Sequence, residues 1–133
     1  MQTFLRTACA VNGFLGVLLG AFGAHGLKSW LADASDAALR LGWWQTASHY
    51  HLFHALGLGI LASWAGRSND RALRLAGGAM LTGIVLFSGS LYAMTLTGKT
   101  GLGVITPLGG LALLVGWGAL CVSARMPNAE RPQ

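Results

Sequence analysis

The hydrophobic positions of the chain fall into four long runs separated by short polar stretches. Four segments contain no Asp, Glu, Lys or Arg: residues 7–27, 41–66, 75–98 and 100–124. A helix needs roughly 20 apolar residues to cross a bilayer, and each run is long enough. The pattern predicts an all-α integral membrane protein in which residues 1–124 form a single domain, a four-transmembrane-helix bundle. The predicted spans are about 7–27, 43–65, 75–97 and 107–124.

The composition supports a lipid environment. Hydrophobic residues make up 53% of the 133 residues and charged residues 10%, whereas soluble domains carry about 25% charged residues. A soluble domain of this size could not bury so much apolar surface. The first run could alternatively be a signal peptide, with Arg6 before an apolar core. The run continues to Leu27 without a small-residue cleavage site, which favours a retained first helix.

The basic residues predict the orientation. The side that holds both termini and the middle loop carries six: Arg6, Arg67, Arg71, Arg74, Arg125 and Arg131. The other side carries three: Lys28, Arg40 and Lys99. Because loops rich in Lys and Arg stay in the cytoplasm, we expect both termini to be cytoplasmic. The net charge of +5 is dispersed among apolar runs, which argues against a nucleic-acid partner.

Two connecting segments carry further signals. Ser35 is a candidate N-cap with Asp36 in the first turn, which predicts a short interfacial helix over 35–42 in the first outer loop. Thr106 is a candidate N-cap before Pro107, which suits the first position of a fourth helix. The alternative is one longer helix kinked at Pro107. We expect residues 125–133 to be a disordered cytoplasmic tail.

Small residues predict how the helices pack. Gly13, Gly16, Gly20 and Gly23 recur at steps of three, four and three. Such residues let helix backbones approach closely in a bilayer, where apolarity alone does not drive association. We expect one packing face on the first helix and a compact bundle. The lipid bilayer is the first expected partner. The same small-residue surface could also form a homo-oligomer or contact another membrane protein.

Most polar side chains within the spans fall in the half of the membrane away from the termini. The candidate polar layer comprises His25, Tyr50, His51, His54, Ser88, Ser90, Tyr92 and Thr106. Asn12 is the main exception, in the inner half of the first helix. Polar groups in a bilayer usually face the interior of the bundle, so His25 is expected to lie beside the histidines of the second helix.

Several interpretations of this layer remain open. The side chains could form a hydrogen-bond network that fixes the register of the bundle. They could instead bind a lipid headgroup or small polar solute, hold a metal or haem, or handle protons. No carboxylate or thiolate lies at that depth to complete a metal site. No intramembrane carboxylate supports proton-coupled drug export, and no nucleophile elbow supports an enzyme. We therefore predict no catalytic residues, metal or cofactor.

Four blocks carry a resemblance to a known family. They are GAFGAHGL at 20–27, YHLFHALGL at 50–58, FSGSLYAMTLTG at 87–98 and ITPLGGLALLVGW at 105–117. In this order they resemble the Domain of Unknown Function 423 family, small bacterial inner-membrane proteins of the YgdD-like type. The resemblance covers about residues 4–124 and implies a four-helix, multi-pass protein of the bacterial inner (plasma) membrane without an assigned reaction. The family pattern includes residues matching His25, His54, Ser88, Ser90, Tyr92 and Pro107.

These observations predict a non-enzymatic scaffold, assembly or interaction protein of the membrane. The alternative is a protein that binds or transports a small molecule or lipid at a polar site in the outer half of the bundle. That site would use His25, His54, Ser88 and Tyr92. A metal or haem protein is the weakest of the three.

Overall fold

The computed structural model describes residues 1–65 and 70–124, and helices account for most of them. In chain order these are α1 (Gln2–Ala24), α2 (Gly26–Trp30), α3 (Ala37–Trp64), α4 (Asp70–Gly83), a π-helical turn (Ile84–Ser88), α5 (Gly89–Thr97), a 3₁₀ turn (Thr100–Val104) and α6 (Thr106–Ala124). The π-helical turn joins α4 to α5 without a break, and we call this continuous element the α4–α5 rod. With α1, α3 and α6 it makes four long rods. The predicted disordered tail lies outside the described residues.

α1 and α3 pack antiparallel along one seam. The α1 side of the seam recurs at steps of four and three: Leu5, Cys9, Asn12, Gly16, Leu19 and Gly23. This spacing is the one by which coiled-coil helices interdigitate. A Cβ placed on Gly16 would lie 2.7 Å from Leu52 Cδ2, so glycine permits the close approach there. Gly23 is likewise pressed against the indole of Trp44.

The four glycines of α1 do not share one environment. Gly16 and Gly23 face α3, whereas nothing lies within 4 Å of a Cβ placed on Gly13 or Gly20. At about 100° per residue the two pairs lie some 60° apart around the helix. The structure therefore divides the expected packing face into a half that contacts α3 and a half that is open.

α6 approaches the α4–α5 rod most closely where the π-helical turn begins and ends. A Cβ placed on Gly109 would lie 2.7 Å from Phe87 Cα and 2.8 Å from the carbonyl carbon of Leu86. On the other side, Gly83 is in contact with Leu113. Between this crossing and the start of α4, the main core cluster includes the fully buried Leu58, Leu61, Leu73 and Met80. The crossing thus brings backbone against backbone.

The short helix in the first connection is α2, at Gly26–Trp30, and the prediction of a separate helix over 35–42 is wrong. Residues from Ala37 onward already belong to α3, and Asp36 takes the N-cap position. The reason is tertiary: Arg40 is hydrogen-bonded to the end of α5, which holds the first turns of α3 in line with the rest.

The connection from α5 to α6 is compact. α5 ends at Gly98, whose φ of 69° is in the left-handed region that favours glycine at a helix terminus. The 3₁₀ turn follows, and α6 begins at Thr106. Pro107 therefore lies in the first turn, where a missing backbone N–H breaks no helical hydrogen bond.

Much of the described surface is apolar. Large exposed side chains occur on every rod, among them Phe14, Leu56, Val85 and Leu114. Three helical stretches are long and apolar enough to cross a membrane: Gln2–Ala24, Arg71–Thr97 and Thr100–Ser123. α3 is longer, with 28 residues, but it holds three histidines and other polar residues and does not meet the same measure. An exposed apolar surface of this extent is typical of a protein solvated by lipid.

Gly109→Ala should destabilise the fold, whereas Gly110→Ala should not. The new methyl group at 109 meets backbone that cannot yield, and overpacking of this kind costs about 1–3 kcal/mol. At Gly110 the nearest atom would be 3.7 Å away, and the helix gains up to about 1 kcal/mol of propensity. Unfolding of both variants in detergent measures the difference. Equal stability would contradict the close crossing.

Candidate functional site

His51 joins α3 to two other rods through a chain of hydrogen bonds. The residue is 5% exposed; its Nε2 lies 3.2 Å from Asn12 Oδ1 and its Nδ1 lies 3.5 Å from the Tyr92 hydroxyl. The Asn12 amide nitrogen donates to the Ala8 carbonyl at 2.8 Å. Because that nitrogen is engaged, the amide oxygen faces His51 and accepts from Nε2; in the neutral ring Nδ1 then accepts from the Tyr92 hydroxyl. The ring thus connects α1, α3 and α5.

His54 makes the corresponding connection to α6. The residue is 6% exposed, and its Nδ1 lies 2.6 Å from the Tyr50 carbonyl oxygen, which can only accept. Nδ1 therefore carries the hydrogen, and Nε2 accepts from the Trp117 indole N–H at 3.1 Å. Both ring nitrogens have partners within the protein. His54 and His51 thus point to different rods although they are one turn apart.

The serines and Thr106 lie nearer the start of α6. Ser90 donates to the Phe87 carbonyl at 2.9 Å and lies 2.8 Å from the Thr106 hydroxyl, which donates to it in turn. This pair ties α5 to the first residue of α6. Ser88, at the end of the π-helical turn, is 1% exposed, and its hydroxyl has no hydrogen-bond partner among the described residues. A buried hydroxyl of this kind costs about 1–3 kcal/mol.

The side chains of His25 and Tyr50 take no part in these hydrogen bonds. His25 is exposed at the junction of α1 and α2; its backbone N–H donates to the Ala21 carbonyl, and its imidazole has no hydrogen-bond partner among the described residues. The Tyr50 ring packs against Phe87 at 4.5 Å between centroids. Within the described part of the chain, no three His, Cys, Asp or Glu side chains lie close enough to hold a metal ion. The predicted polar layer is therefore several separate pairings rather than one convergent site.

Arg40 was predicted only as one of the outer basic residues, yet three hydrogen bonds join it to α5. Its Nε donates to the Thr95 carbonyl at 2.7 Å and its Nη2 to the Leu96 carbonyl at 3.1 Å. The Thr95 hydroxyl donates back to the Arg40 carbonyl at 3.1 Å. The guanidinium thus places a positive charge at the C-terminus of α5, where the helix dipole favours it.

Two other partners were also missed. In the sequence Asn12 is marked only as a polar residue of the inner half of the first helix, and Trp117 only as the last residue of the block at 105–117. Each carried a usable signal, because an amide within an apolar helix and a partly buried indole N–H both require a hydrogen-bond partner. The sequence did not show that the partners are the two histidines of α3.

A groove of about 830 Å³ lies between α3 and α6. Its floor includes Phe87, and its walls are almost entirely apolar. His54 and Trp117 lie at its wall and are already bonded to each other. The groove exists because α6 packs on the α4–α5 rod and reaches α3 chiefly through the Trp117 side chain.

The helices and their apolar surface define a helical membrane protein. Residues 19–110 match the family described as Protein of unknown function (DUF423). The chain is 46% identical over 116 residues to the UPF0382 membrane protein YwdK of Bacillus subtilis, covering 86% of this chain and 90% of the relative. It is 42% identical over 117 residues to a UPF0382 membrane protein of Haemophilus influenzae, covering 88% and 90%.

The UPF0382 inner membrane protein YgdD of Escherichia coli is 36% identical over 121 residues, which is 91% of this chain and 88% of the relative. No solved structure matches the chain. The protein belongs to the DUF423 family. The family resemblance and the helical membrane class predicted from the sequence are both confirmed.

His51→Leu should destabilise the protein, whereas the matched change His49→Leu should have little effect. His51 is buried between two partners and His49 is exposed. Loss of an interhelical hydrogen bond in a membrane protein costs about 1–2 kcal/mol. Unfolding in detergent gives the free energies.

A double-mutant cycle isolates the pair. The variant with both His51→Leu and Asn12→Leu should lose less stability than the two single variants together, because neither polar group is then left without its partner. Strict additivity, or an equal loss from His49→Leu, would contradict the network.

Proposed function

We propose that the protein crosses the inner membrane four times. The support is the length of the contact between α1 and α3. At one end the Gln2 side chain donates to the Ala62 carbonyl at 3.4 Å, and near the other the Trp44 indole donates to the Leu19 carbonyl at 2.8 Å. α3 therefore runs beside α1 from end to end. A bilayer that accommodates α1 also encloses α3, whose buried histidines are hydrogen-bonded to neighbouring rods.

In this proposal both termini lie in the cytoplasm. The antiparallel packing brings Arg6 to the same end as the start of α4, which carries Arg71 and Arg74. The opposite end carries Lys28 and Lys99, together with Arg40, whose charge is engaged at the terminus of α5. The excess of basic residues at the first end supports a cytoplasmic assignment.

Labelling of single cysteines tests this topology. Cys9 and Cys121 are replaced by alanine, and one cysteine is introduced at Thr3, Thr100 or Gln133. In spheroplasts of a bacterial host, a membrane-impermeant maleimide should label Thr100→Cys, and the other two only after permeabilisation. Labelling of Thr3→Cys and Gln133→Cys from opposite sides would contradict four spans. Labelling of both Thr3→Cys and Gln133→Cys in intact spheroplasts would show that the orientation is the reverse of the one proposed.

The function supported best is that of a non-enzymatic scaffold or interaction protein, which docks a transmembrane helix of another protein in the groove between α3 and α6. The observation that carries this is the pairing of the polar side chains with one another. Both nitrogens of His51 and of His54 are engaged within the protein. The polar layer then maintains the helix arrangement, and the surface offered to a partner is the apolar groove.

The shape of the groove favours a helix as its occupant. On α3 the lining residues Tyr50, Phe53, Gly57 and Ile60 recur at steps of three and four, and on α6 Pro107, Gly110, Leu114 and Trp117 do the same. One helix receives the side chains of another at this spacing. Each wall runs for about 15 Å, at about 1.5 Å per residue, which is half of the hydrocarbon thickness.

A second candidate function is the binding of a lipid or small hydrophobic molecule in the same groove. The volume of about 830 Å³ supports it, because sites for small molecules commonly measure about 300–1,000 Å³. In this alternative the polar contribution would come from lining side chains such as His54 and Tyr50.

A photo-crosslinking amino acid at Leu114 separates these functions. Leu114 lines the groove and is 70% exposed, and Val17 on α1 is a control that is 63% exposed and outside the groove. In cells, the Leu114 probe should give a discrete protein adduct whose linked peptide comes from a transmembrane segment. Gly110→Leu, which narrows the groove, should abolish it.

Three outcomes would contradict helix docking. A mass increase at Leu114 equal to one lipid or small molecule would support the second candidate instead. An equal protein adduct from the Val17 probe, or an adduct unaffected by Gly110→Leu, would show contact with neighbours that does not use the groove.

A further inference from the structure

A second groove of about 440 Å³ lies between α4 and α6, on a surface apart from the α3 wall of the first. Small residues form much of it: Gly78 and Ala79 from α4 and Ala112 from α6. Leu75 and Val115 line it as well. Its lining on α4 runs from Arg74 to Thr82, which is about 12 Å at about 1.5 Å per residue.

Arg74 gives this groove a charged end. The side chain is exposed, and no hydrogen bond or ion pair joins it to the side chains that the structure describes, which do not include that of Asp70. Arg40 differs, because its guanidinium donates to two carbonyls. Arg74 lies about one turn inside the start of α4, at the end of the rods that also carries Arg6. At this position the guanidinium reaches the level of the headgroups by extending along the helix.

From this arrangement we propose that the groove between α4 and α6 binds an anionic phospholipid. The hydrocarbon chain lies over Gly78 and Ala79, and the phosphate accepts hydrogen bonds from the Arg74 guanidinium. Charge complementarity selects the occupant, because a guanidinium matches a phosphate in two parallel hydrogen bonds. An apolar groove with an exposed guanidinium at its end fits a molecule with one anionic group and one hydrocarbon chain. The hydrocarbon chain of a zwitterionic lipid would also fit the groove, but its headgroup would bring a second positive charge close to Arg74.

This inference depends on the membrane location of the protein and not on the docking function proposed above. Basic pockets between transmembrane helices bind acidic headgroups. Each Lys or Arg near the membrane surface contributes about 1 kcal/mol of attraction to anionic lipid, which corresponds to a preference of about fivefold.

Native mass spectrometry of the full-length protein in detergent tests the proposal. The protein is titrated with phosphatidylglycerol and phosphatidylcholine of the same acyl chains, and the wild type should retain one phosphatidylglycerol with about fivefold preference. Arg74→Gln should bind both lipids equally. Arg6→Gln, at the same end but on α1, should keep the preference of the wild type.

Groove-filling variants test the hydrocarbon part. Gly78→Leu adds a side chain where nothing lies within 4 Å, so it fills the groove without displacing a neighbour. Gly118→Leu is the matched control, because Gly118 also has nothing within 4 Å and does not line the groove. Gly78→Leu should lose both lipids, and Gly118→Leu should retain phosphatidylglycerol.

Several results would overturn the proposal. An unchanged preference in Arg74→Gln, or the same loss in Arg6→Gln, would show diffuse attraction to a basic membrane surface. Retention of lipid by Gly78→Leu would exclude the groove. Displacement of phosphatidylglycerol by inorganic phosphate would show that Arg74 binds a free anion rather than a lipid headgroup.

Discussion

The arrangement of the described rods depends on hydrogen bonds made by α3. His51 connects it to α1 and α5, His54 connects it to α6, and Arg40 holds the end of α5. Lipid chains are as apolar as leucine, so burial of apolar surface does not choose between neighbours in a bilayer. An unpaired polar group there is costly, which means that each of these bonds favours one particular neighbour. The polar content that sets α3 apart from the other rods is therefore the reason that they assemble around it.

The same bonds explain why the rods leave a groove. α6 contacts the α4–α5 rod backbone to backbone at Gly109. It contacts α3 through two long side chains, because the Trp117 indole donates to the His54 imidazole. Two contacts of such different length leave a groove between α6 and α3. The histidines thus affect binding in the groove indirectly, because they hold its two walls apart.

The sequence was sufficient to predict the features that depend on neighbouring residues in the chain. The four apolar runs and the start of a helix beside Pro107 follow from hydropathy and backbone geometry, and the helices there agree with both. Pairings could not be predicted in this way. His51 and His54 differ by about 60° around α3, and which rod each one reaches depends on how far apart the rods lie. The same limit applies to Gly13 and Gly20, whose small size permits contact but does not say whether a neighbour is present, and to His25, which the end of α1 leaves exposed.

The π-helical turn allows one continuous rod to serve two neighbours. Before it, Ala76 and Met80 face Gly116 of α6; after it, Tyr92 and Thr95 face α3. A π-helical turn takes in one residue more than an α-helical turn, which rotates everything that follows by about 100°. Deletion of a single residue there would leave both halves helical and equally apolar, yet it would turn Tyr92 and Thr95 away from their partners. The number of residues between Gly83 and Gly89 is therefore constrained independently of which residues they are.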